Sequence, residues 1–499
     1  MLKESLIQFK NWMFENNKLI LLIIVIYFMI TVSLGVVQYP YIDDTARQVY
    51  GDTNFWLHYS RLASEILSWG FQGSRHLTDQ GLTNFLISGL VLSLCSILTL
   101  RYFVQNGKVT FVMAIASTII GLNPWFLECL SFRFDSPFMC FSLLFAIIPY
   151  LFWKEKWYIF YAFSSVSVLL LCNSYQSSSG TFIVYALALF SFGIMTGSKF
   201  RDEIIRLIIA AFGFITGMVV YLFETKFNPE IATRGSLVEI SKINDLPRTV
   251  INNSLHYFNV LYTDSSKIWI FTFFIVLFVS FIGLVFFSKQ RLFFNIVTAV
   301  FYLVTGAVLS YGVLLIFKLP LISMLGRYGG YNFPIYISVT CIMCLSILER
   351  VKPIYILTNF AVVLFVYFQL AFCFGYPSML SVQKNAFEFQ SGILAGDLKN
   401  IVTNDRRTIN ANKLFKSSAV LTNSERNFPI LKKLVPHNEN LYWPNQYWFN
   451  NISGMNIQLN PASFDFSTLD TQSGNIQKVV DNYYYTIYVD ANQIYLYMK

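Results

Sequence analysis

Two adjacent carboxylates, Asp43 and Asp44, directly follow the first long apolar run, in Tyr39-Pro-Tyr-Ile-Asp-Asp-Thr-Ala-Arg-Gln48. That run, residues 18–38, is about 21 residues long, and an α-helix of this length reaches about 31 Å, enough to cross a bilayer. Ionised carboxylates anchor a helix poorly at a membrane surface, but a positioned carboxylate can take a proton from a reacting hydroxyl group. In an extended segment adjacent side chains point to opposite sides, so we expect one Asp to face a substrate and the other to orient the loop or ligand.

A carboxylate pair is also a possible ligand set for a divalent cation. The four His residues are scattered and make no metal-ligand pattern. The sequence therefore predicts no cofactor, with a divalent metal at the acid pair as the alternative.

The composition is that of a polytopic membrane protein, since 55% of the residues are hydrophobic, 13% are charged and the mean hydropathy is +0.52. The net charge of +9 is dispersed over short loops. Membrane topology explains these basic residues better than nucleic-acid binding does. The seven Cys residues lie in or beside apolar runs and predict no disulfide framework.

Hydropathy predicts about eleven transmembrane helices. They are 18–38, 82–104, 109–126, 136–153, 157–172, 180–197, 204–224, 268–288, 292–317, 331–348 and 354–376. Positive charges gather at alternate ends, which we assign to the cytoplasm by the positive-inside rule. They are Lys3, Lys10, Lys18, Arg101, Lys108, Lys154, Lys156, Lys199, Arg201, Arg206, Lys289, Arg291, Arg350 and Lys352. The N-terminus is then cytoplasmic and the C-terminus lies outside.

The longer hydrophilic segments all fall on the predicted outer face. We expect a transmembrane module at 1–376, with outer loops 39–81 and 225–267, and a C-terminal domain of mixed α/β structure at 377–499. The cytoplasmic loops are too short for a nucleotide site, and no Walker motif occurs. Function is therefore expected on the outer face.

Two outer segments carry further patterns. Apolar residues recur from Phe55 to Trp69 at three- and four-residue steps, which indicates either an amphipathic helix on the membrane surface or a loop helix packed on the outer part of the protein. In the tail, two β-prone runs within 483–498 flank a short turn and predict a hairpin. The aromatic residues of 441–448 are suited either to stacking on sugar rings or to packing a small domain.

An enzyme on the outer face has no nucleotide sugar available, so its activated donor must be membrane-borne, such as a lipid-linked sugar phosphate. Such a reaction needs a carboxylate base and a cation that holds the departing phosphate. The acid pair supplies the base. The candidate phosphate-binding residues on this face are Arg47, Arg75, Arg133, Lys318 and Arg327. The alternative for Arg133 is an ion pair with Asp135.

Three segments carry a resemblance to a known family. They are Tyr-Ile-Asp-Asp-Thr-Ala-Arg after the first predicted span, Asn123-Pro-Trp-Phe-Leu-Glu-Cys-Leu-Ser-Phe-Arg-Phe-Asp-Ser136 after the third, and Ser174-Tyr-Gln-Ser177 after the fifth. In order and position they resemble the serotype-converting O-antigen glucosyltransferases, which depend on polyprenyl-phosphate glucose. The tail does not align with the variable tails of that family.

The resemblance implies a GT-C-like fold in the bacterial inner membrane and transfer of glucose from undecaprenyl-phosphate glucose to lipid-linked O-antigen in the periplasm. The implied chemistry is inversion by a single displacement, with Asp43 as base and Asp44 assisting. It also implies that Arg133 holds the phosphate and that sugar or phosphate contacts come from Glu128, Asp135, Tyr175 and Gln176.

Two other functions fit parts of the pattern. Another lipid-phosphate-sugar transferase, with a different sugar or acceptor, would share the acid pair. An O-antigen flippase or other transporter would need ionisable residues within the spans, whereas the middle of each predicted span is nearly free of charge.

Overall fold

The computed structural model describes residues 2–104, 108–230, 239–323, 326–348, 352–403, 406–468 and 476–499. Arg350 and part of the predicted outer loop, residues 231–238, therefore lie outside the described residues. The chain folds into two compact units. The first comprises Met1–Val36, Thr53–His76 and Gln80–Gly375, and the second Val37–Asp52, Leu77–Asp79 and Tyr376–Lys499. The acid pair thus belongs to the same unit as the C-terminal tail.

The first unit is built from helices. In chain order they are α1 (Leu2–Glu15), α2 (Asn17–Val37), α4 (Phe55–Tyr59), α5 (Leu62–Gln72), α6 (Leu82–Phe103), α7 (Phe111–Thr118), α8 (Pro124–Ser131), α9 (Ser136–Ile147), α10 (Trp157–Tyr175), α11 (Ser179–Met195), α12 (Phe200–Thr225), α13 (Leu246–Asp264), α14 (Lys267–Phe286), α15 (Leu292–Leu309), α16 (Asn332–Leu348) and α17 (Lys352–Leu398). Helix α3 (Asp44–Tyr50) and the end of α17 belong to the second unit.

Seven helical stretches of the described residues are long and apolar enough to cross a membrane. They are Asn17–Val37, Leu82–Phe103, Trp157–Met195, Phe200–Thr225, Lys267–Phe286, Leu292–Leu309 and Pro353–Leu398, beside two shorter apolar stretches, Ser136–Phe152 and Asn332–Leu348. These helices support a multi-pass membrane protein, but the predicted number of eleven spans is not confirmed.

The predicted span 109–126 is wrong as one continuous helix. Helix α7 ends at Thr118 and α8 begins at Pro124, and each has 8 residues, or about 12 Å of helix. A new helix starts here because the side-chain oxygen of Asn123 accepts the backbone N–H of Phe126 at 3.1 Å. Pro124 then occupies the first helical position, where its missing N–H costs nothing.

The segment from Phe55 to Trp69 also differs from the single helix expected. Ser60, with φ 54°, separates α4 from α5. The Glu65 carboxylate bonds to the Thr53 hydroxyl group and accepts the N–H groups of Phe55 and Trp56, at 2.7 and 3.1 Å. It therefore caps the start of α4. Because Phe55 is buried against the Phe138 ring, the structure favours the packed-loop alternative.

A close backbone approach joins α11 to the end of α15. A Cβ atom at Gly180 would lie 1.8 Å from the carbonyl oxygen of Ser310, and one at Gly312 would lie 2.4 Å from the Gly180 nitrogen. Gly312 also has a positive φ of 64°. Glycine is needed at both positions because a backbone clash cannot be relieved by moving a side chain. This contact supports the nearby segment 176–178, which follows α10.

The second unit contains a mixed five-stranded sheet. Its strands are β1 (Thr408–Ala411), β2 (Gln458–Pro461), β3 (Gln477–Asp481), β4 (Tyr485–Val489) and β5 (Ile494–Met498), in the order β2-β1-β5-β4-β3. Its helices beyond α17 are α18 (Ala419–Ser424), α19 (Leu431–Leu434) and α20 (Trp443–Ser453). Strands β4 and β5 pair antiparallel, from Val489 with Ile494 to Tyr485 with Met498. The predicted hairpin is confirmed.

The aromatic residues of 441–448 differ in burial. Trp448 is buried and stacks on Phe387 with ring centroids 3.9 Å apart, whereas Trp443 is exposed. Packing is therefore the role of Trp448. Helix α17 runs through Pro377 to Leu398, so the helix continues well past the predicted end of the last span at residue 376.

Candidate functional site

The acid pair lies at the start of helix α3 in the second unit. Asp43 is the N-cap residue with φ −72° and ψ −17°, so the extended backbone expected from the sequence is wrong here. Asp44 is fully buried, and its Oδ2 accepts the backbone N–H of Tyr41 at 3.0 Å. Asp43 is only half-buried. The two carboxylates therefore occupy different environments, as expected. The cause is the difference in burial at the start of a helix and not the alternation of side chains along an extended segment.

Backbone strain adjoins the acid pair. Ile42 has a positive φ of 45°, which is a genuine outlier for a β-branched residue and costs about 1–3 kcal/mol. Tyr41 holds this segment, since its ring is fully buried and its hydroxyl group donates to the carbonyl oxygen of Leu434 at 2.8 Å. Such strain persists only where the surroundings over-determine the backbone, and it is enriched at functional sites.

Arg47 lies in the last turn of the same helix, with a side chain only 7% exposed. The chain leaves α3 through Gly51, whose carbonyl oxygen accepts the N–H of Leu77. Gln48 donates to the carboxylate of Asp79 at 2.6 Å. These contacts join residues 77–79 to the acid-pair segment within the second unit.

In the first unit, Glu128 and Tyr175 fix the backbone of Arg327 from two sides. Glu128 is fully buried in α8 and accepts the N–H of Arg327 at 2.8 Å. The hydroxyl group of Tyr175, at the end of α10, donates to the carbonyl oxygen of Arg327 at 3.2 Å. The Arg327 guanidinium lies 4.4 Å from the Phe132 ring centroid, within the range of a cation–π contact. Burial opposes its charge, but Tyr328, Glu128 and Tyr175 outweigh burial and raise the pKa of Arg327.

Asp135 lies beside Arg61, a residue that the sequence did not single out as part of a site. Nη1 of Arg61 and Oδ1 of Asp135 are 3.8 Å apart, and both side chains are largely buried. The Arg61 guanidinium also lies 4.9 Å from the Tyr59 ring and 4.7 Å from the Tyr175 ring. In the sequence Arg61 stands between the aromatic residues Tyr59 and Trp69, and no local pattern marks it as part of a site.

The residues after Tyr175 connect α10 with its neighbours. Nε2 of Gln176 donates to the Tyr221 hydroxyl group at 2.6 Å and to the Tyr59 carbonyl oxygen at 3.4 Å. Asn173 donates to Glu224 at 2.6 Å and accepts the N–H of Leu62 at 3.1 Å. Tyr221 and Glu224 were missed because they lie within a predicted apolar span. Asn173, one residue past another span, was missed because no sequence spacing links it to Leu62 or Glu224.

Arg133 is 4% exposed, and its carbonyl oxygen accepts Nδ2 of Asn84 at 3.1 Å. Five charged residues come from the segments predicted to lie on the outer face of the first unit: Arg61, Arg133 and Arg327, with Glu128 and Asp135. These residues carry one more positive than negative charge. We call them the outer charge cluster.

Two predicted phosphate-binding residues sit at the surface. Lys318 pairs with Glu239 at 3.2 Å, and its side chain is 64% exposed. Arg75 is exposed and its guanidinium lies 4.8 Å from the Trp69 ring. Over the described ranges neither residue contacts the outer charge cluster. Nor does any group of three His, Cys, Asp or Glu side chains in those ranges lie close enough to hold a metal ion.

The family model of glucosyl transferase GtrII matches residues 32–324 of the chain. The chain belongs to the GtrII glucosyltransferase family. The match covers the acid pair and all of the outer charge cluster except Arg327, three residues past its end. The resemblance inferred from the three sequence segments is thereby confirmed.

A protein of Salmonella phage P22, described as an uncharacterized 55.3 kDa protein in the gtrB 5' region, is 23% identical to this GtrII-family chain over 229 residues. The alignment covers 45% of the chain and 46% of the phage protein. The chain thus spans about half the length of this curated relative. No solved structure matches the chain.

Proposed function

We propose that this GtrII-family protein transfers glucose from undecaprenyl-phosphate glucose to lipid-linked O-antigen on the periplasmic face of the bacterial inner membrane. The observation that carries the proposal is the GtrII match over residues 32–324, which contains Asp43, Asp44 and Arg133. The phage relative supports it, because that protein is encoded beside a gene of the gtr series. The proposed architecture is GT-C-like, with the tail as a periplasmic domain.

The proposed reaction is a single displacement with inversion. Asp43 takes the proton of an acceptor hydroxyl group while that oxygen bonds to C1 of glucose. The bond from C1 to the phosphate oxygen breaks, and its electron pair stays on the phosphate. The half-buried position of Asp43 suits a base that must reach a substrate, whereas the buried Asp44 holds the Tyr41 backbone and positions Asp43.

The departing phosphate gains one negative charge in this step, and donors that meet this charge stabilise the transition state more than the ground state. We assign this role to the guanidinium of Arg133. Glu128 and Asp135 belong to the outer charge cluster, and the Tyr175 ring contacts its Arg61. Gln176 donates to the carbonyl oxygen of Tyr59, whose ring also lies beside Arg61. They are the proposed sugar and phosphate contacts.

The proposed topology has a cytoplasmic N-terminus and a periplasmic C-terminus. A reporter that is active only in the periplasm should therefore work when fused after Lys499 and fail when fused within residues 199–206. A cytoplasmic reporter at the same two positions is the control and should give the reverse pattern. If both reporters give the opposite pattern, the acid pair lies on the cytoplasmic face and cannot act on a donor at the periplasmic face. The proposed reaction is then wrong.

The function is tested by expressing the chain in a strain that makes undecaprenyl-phosphate glucose and reading the surface polysaccharide by NMR. Because inversion at a β-linked donor gives an α-linked product, we expect one new α-linked glucose per repeat unit, absent when the synthase that makes undecaprenyl-phosphate glucose is omitted. A different added sugar would identify another transferase of the same type. An unmodified polysaccharide at normal protein levels, with transport of a lipid-linked sugar in its place, would identify a flippase.

A further inference from the structure

Three neighbouring buried N–H donors in the first unit have no hydrogen-bond partner among the described residues. They are Nε of Arg61, Nη1 of Arg327 and Nε1 of Trp125. Buried donors are normally paired, and an orphaned one is unfavourable unless an unseen group meets it. Three such donors in one region indicate a ligand that accepts hydrogen bonds.

Shared neighbours bring the three donors together. Tyr175 contacts both arginines, because its ring lies 4.7 Å from the Arg61 guanidinium and its hydroxyl group donates to the Arg327 carbonyl oxygen. Burial and Glu128 raise the pKa of the Cys129 thiol, while Arg327 and Arg61 both oppose that rise. Arg61 therefore meets the backbone of the Arg327 segment at Tyr175, and the charges of both guanidinium groups act on the Cys129 thiol of α8.

Trp125 joins this region through the loop that carries Arg327. A Cβ atom at Gly326 would lie 3.1 Å from Cδ1 of Trp125, and one at Gly330 would lie 2.7 Å from it. The loop backbone therefore rests on the indole edge that bears Nε1. Glycine at both positions permits this approach, which sets the indole N–H beside the Arg327 segment.

Neither acid of the cluster accepts a hydrogen bond from the three donors. Oδ1 of Asp135 is 3.8 Å from Nη1 of Arg61, beyond hydrogen-bond range, and Oε2 of Glu128 accepts the backbone N–H of Arg327. Asp135 and Glu128 lie near the two arginines and offset their charge, but the three donors remain without a partner among the described residues. The free donors, together with the one excess positive charge that Arg133 gives the cluster, thus favour an anionic ligand.

We propose that Arg61, Arg327 and Trp125 form a binding site for the phosphate group of the polyprenyl-phosphate donor, a site that rests on the proposed function and adds to Arg133. A guanidinium offers two parallel N–H donors that match two phosphate oxygens. The phosphate carries one negative charge as a sugar phosphodiester and two once the sugar has left. The site should therefore bind the departing polyprenyl phosphate more tightly than the intact donor.

The test measures binding of undecaprenyl phosphate to the purified full chain in detergent micelles, with undecaprenol as the uncharged arm and inorganic phosphate as the lipid-free arm. We expect Arg61→Ala and Arg327→Ala each to weaken undecaprenyl phosphate binding about 10- to 100-fold. Trp125→Phe, which keeps an aromatic ring but loses the N–H, should weaken it about 3- to 10-fold. Undecaprenol binding should not change in any of them.

Lysine substitutions and a matched exposed arginine complete the design. Arg61→Lys and Arg327→Lys keep the charge without the fork, so they should lie between wild type and the alanine variants. Arg248→Ala removes an exposed arginine of α13 and should bind as wild type does. Inorganic phosphate should compete with undecaprenyl phosphate in wild type and should compete less in Arg61→Ala and Arg327→Ala, because the site binds the phosphate group.

The outcomes separate the site from the function. If wild-type protein transfers glucose but all three alanine or phenylalanine variants bind undecaprenyl phosphate normally, the site is overturned and the function stands. If undecaprenol binding falls equally, the residues act on the lipid chain and the phosphate site is also overturned. If the variants lose phosphate-dependent binding while wild-type protein transfers no glucose, the site stands and the proposed function fails.

Discussion

Asp43→Asn is expected to remove most glucosyl transfer while the protein remains folded and inserted. The amide has the shape of the carboxylate but cannot take the acceptor proton, and loss of a general base costs about 10²–10⁴-fold in rate. Asp43 is half-buried and its side chain does not cap the start of α3, so the substitution should not unfold the helix. The measurement is the initial rate of transfer to lipid-linked acceptor at equal protein levels in membranes.

Asp44→Asn and Asp245→Asn are the matched comparisons. An asparagine in place of Asp44 would keep an oxygen for the Tyr41 N–H that Asp44 now accepts at 3.0 Å, so Asp44→Asn should lose less activity than Asp43→Asn. Asp245 is an exposed N-cap residue without a capping bond, and its substitution should have no effect. Near-normal activity of both acid-pair variants would show that neither Asp is the base. A greater loss for Asp44→Asn would exchange the two assigned roles.

Local patterns were enough to locate the acid pair and the hairpin. A carboxylate pair at the end of an apolar run is visible in the sequence, because hydropathy and charge are properties of neighbouring residues. The β4–β5 hairpin was visible for the same reason, since its two strands and its turn lie within residues 485–498.

The break between α7 and α8 also has a local signal in the sequence, but hydropathy alone does not show it. Asn123-Pro124 is a helix-start signal, and its capping bond is present in the structure. A hydropathy average passes over such a signal, because the residues on both sides are equally apolar. The capping residues should therefore take precedence over hydropathy wherever an apolar run contains them.

The role of Arg61 could not be predicted from local pattern. Its partners Asp135 and Tyr175 are distant in sequence, and only tertiary packing brings them together. The same holds for the burial difference between Asp43 and Asp44, which depends on the bend at Ile42 and on the bond from Tyr41 to Leu434. The sequence could name the charged residues of the site but not their environments.

Arg133→Ala is expected to lower the transfer rate about 10²–10³-fold, the usual effect of removing one donor that stabilises developing charge. Its side chain is 4% exposed, while the bond that Asn84 donates goes to its backbone carbonyl oxygen and survives the substitution. Arg133→Lys keeps the charge but not the forked geometry, so its rate should fall between those of wild type and Arg133→Ala. The measurement is kcat with purified donor, beside the amount of folded protein.

The double variant Arg133→Ala/Asp135→Ala distinguishes phosphate binding from a structural ion pair. Because Asp135 also lies 3.8 Å from Arg61, the loss of Asp135 has an effect of its own. The double variant is therefore compared with the single variant Asp135→Ala. If Arg133 stabilises the departing phosphate, the double variant should be as slow as Arg133→Ala or slower. If Arg133 serves only to balance Asp135, removing both charges together relieves the unpaired acid, and the double variant should match Asp135→Ala. That second result would exclude Arg133 from the phosphate site and leave the stabilisation of the leaving group to Arg61 and Arg327, each of which has a buried N–H donor without a hydrogen-bond partner among the described residues.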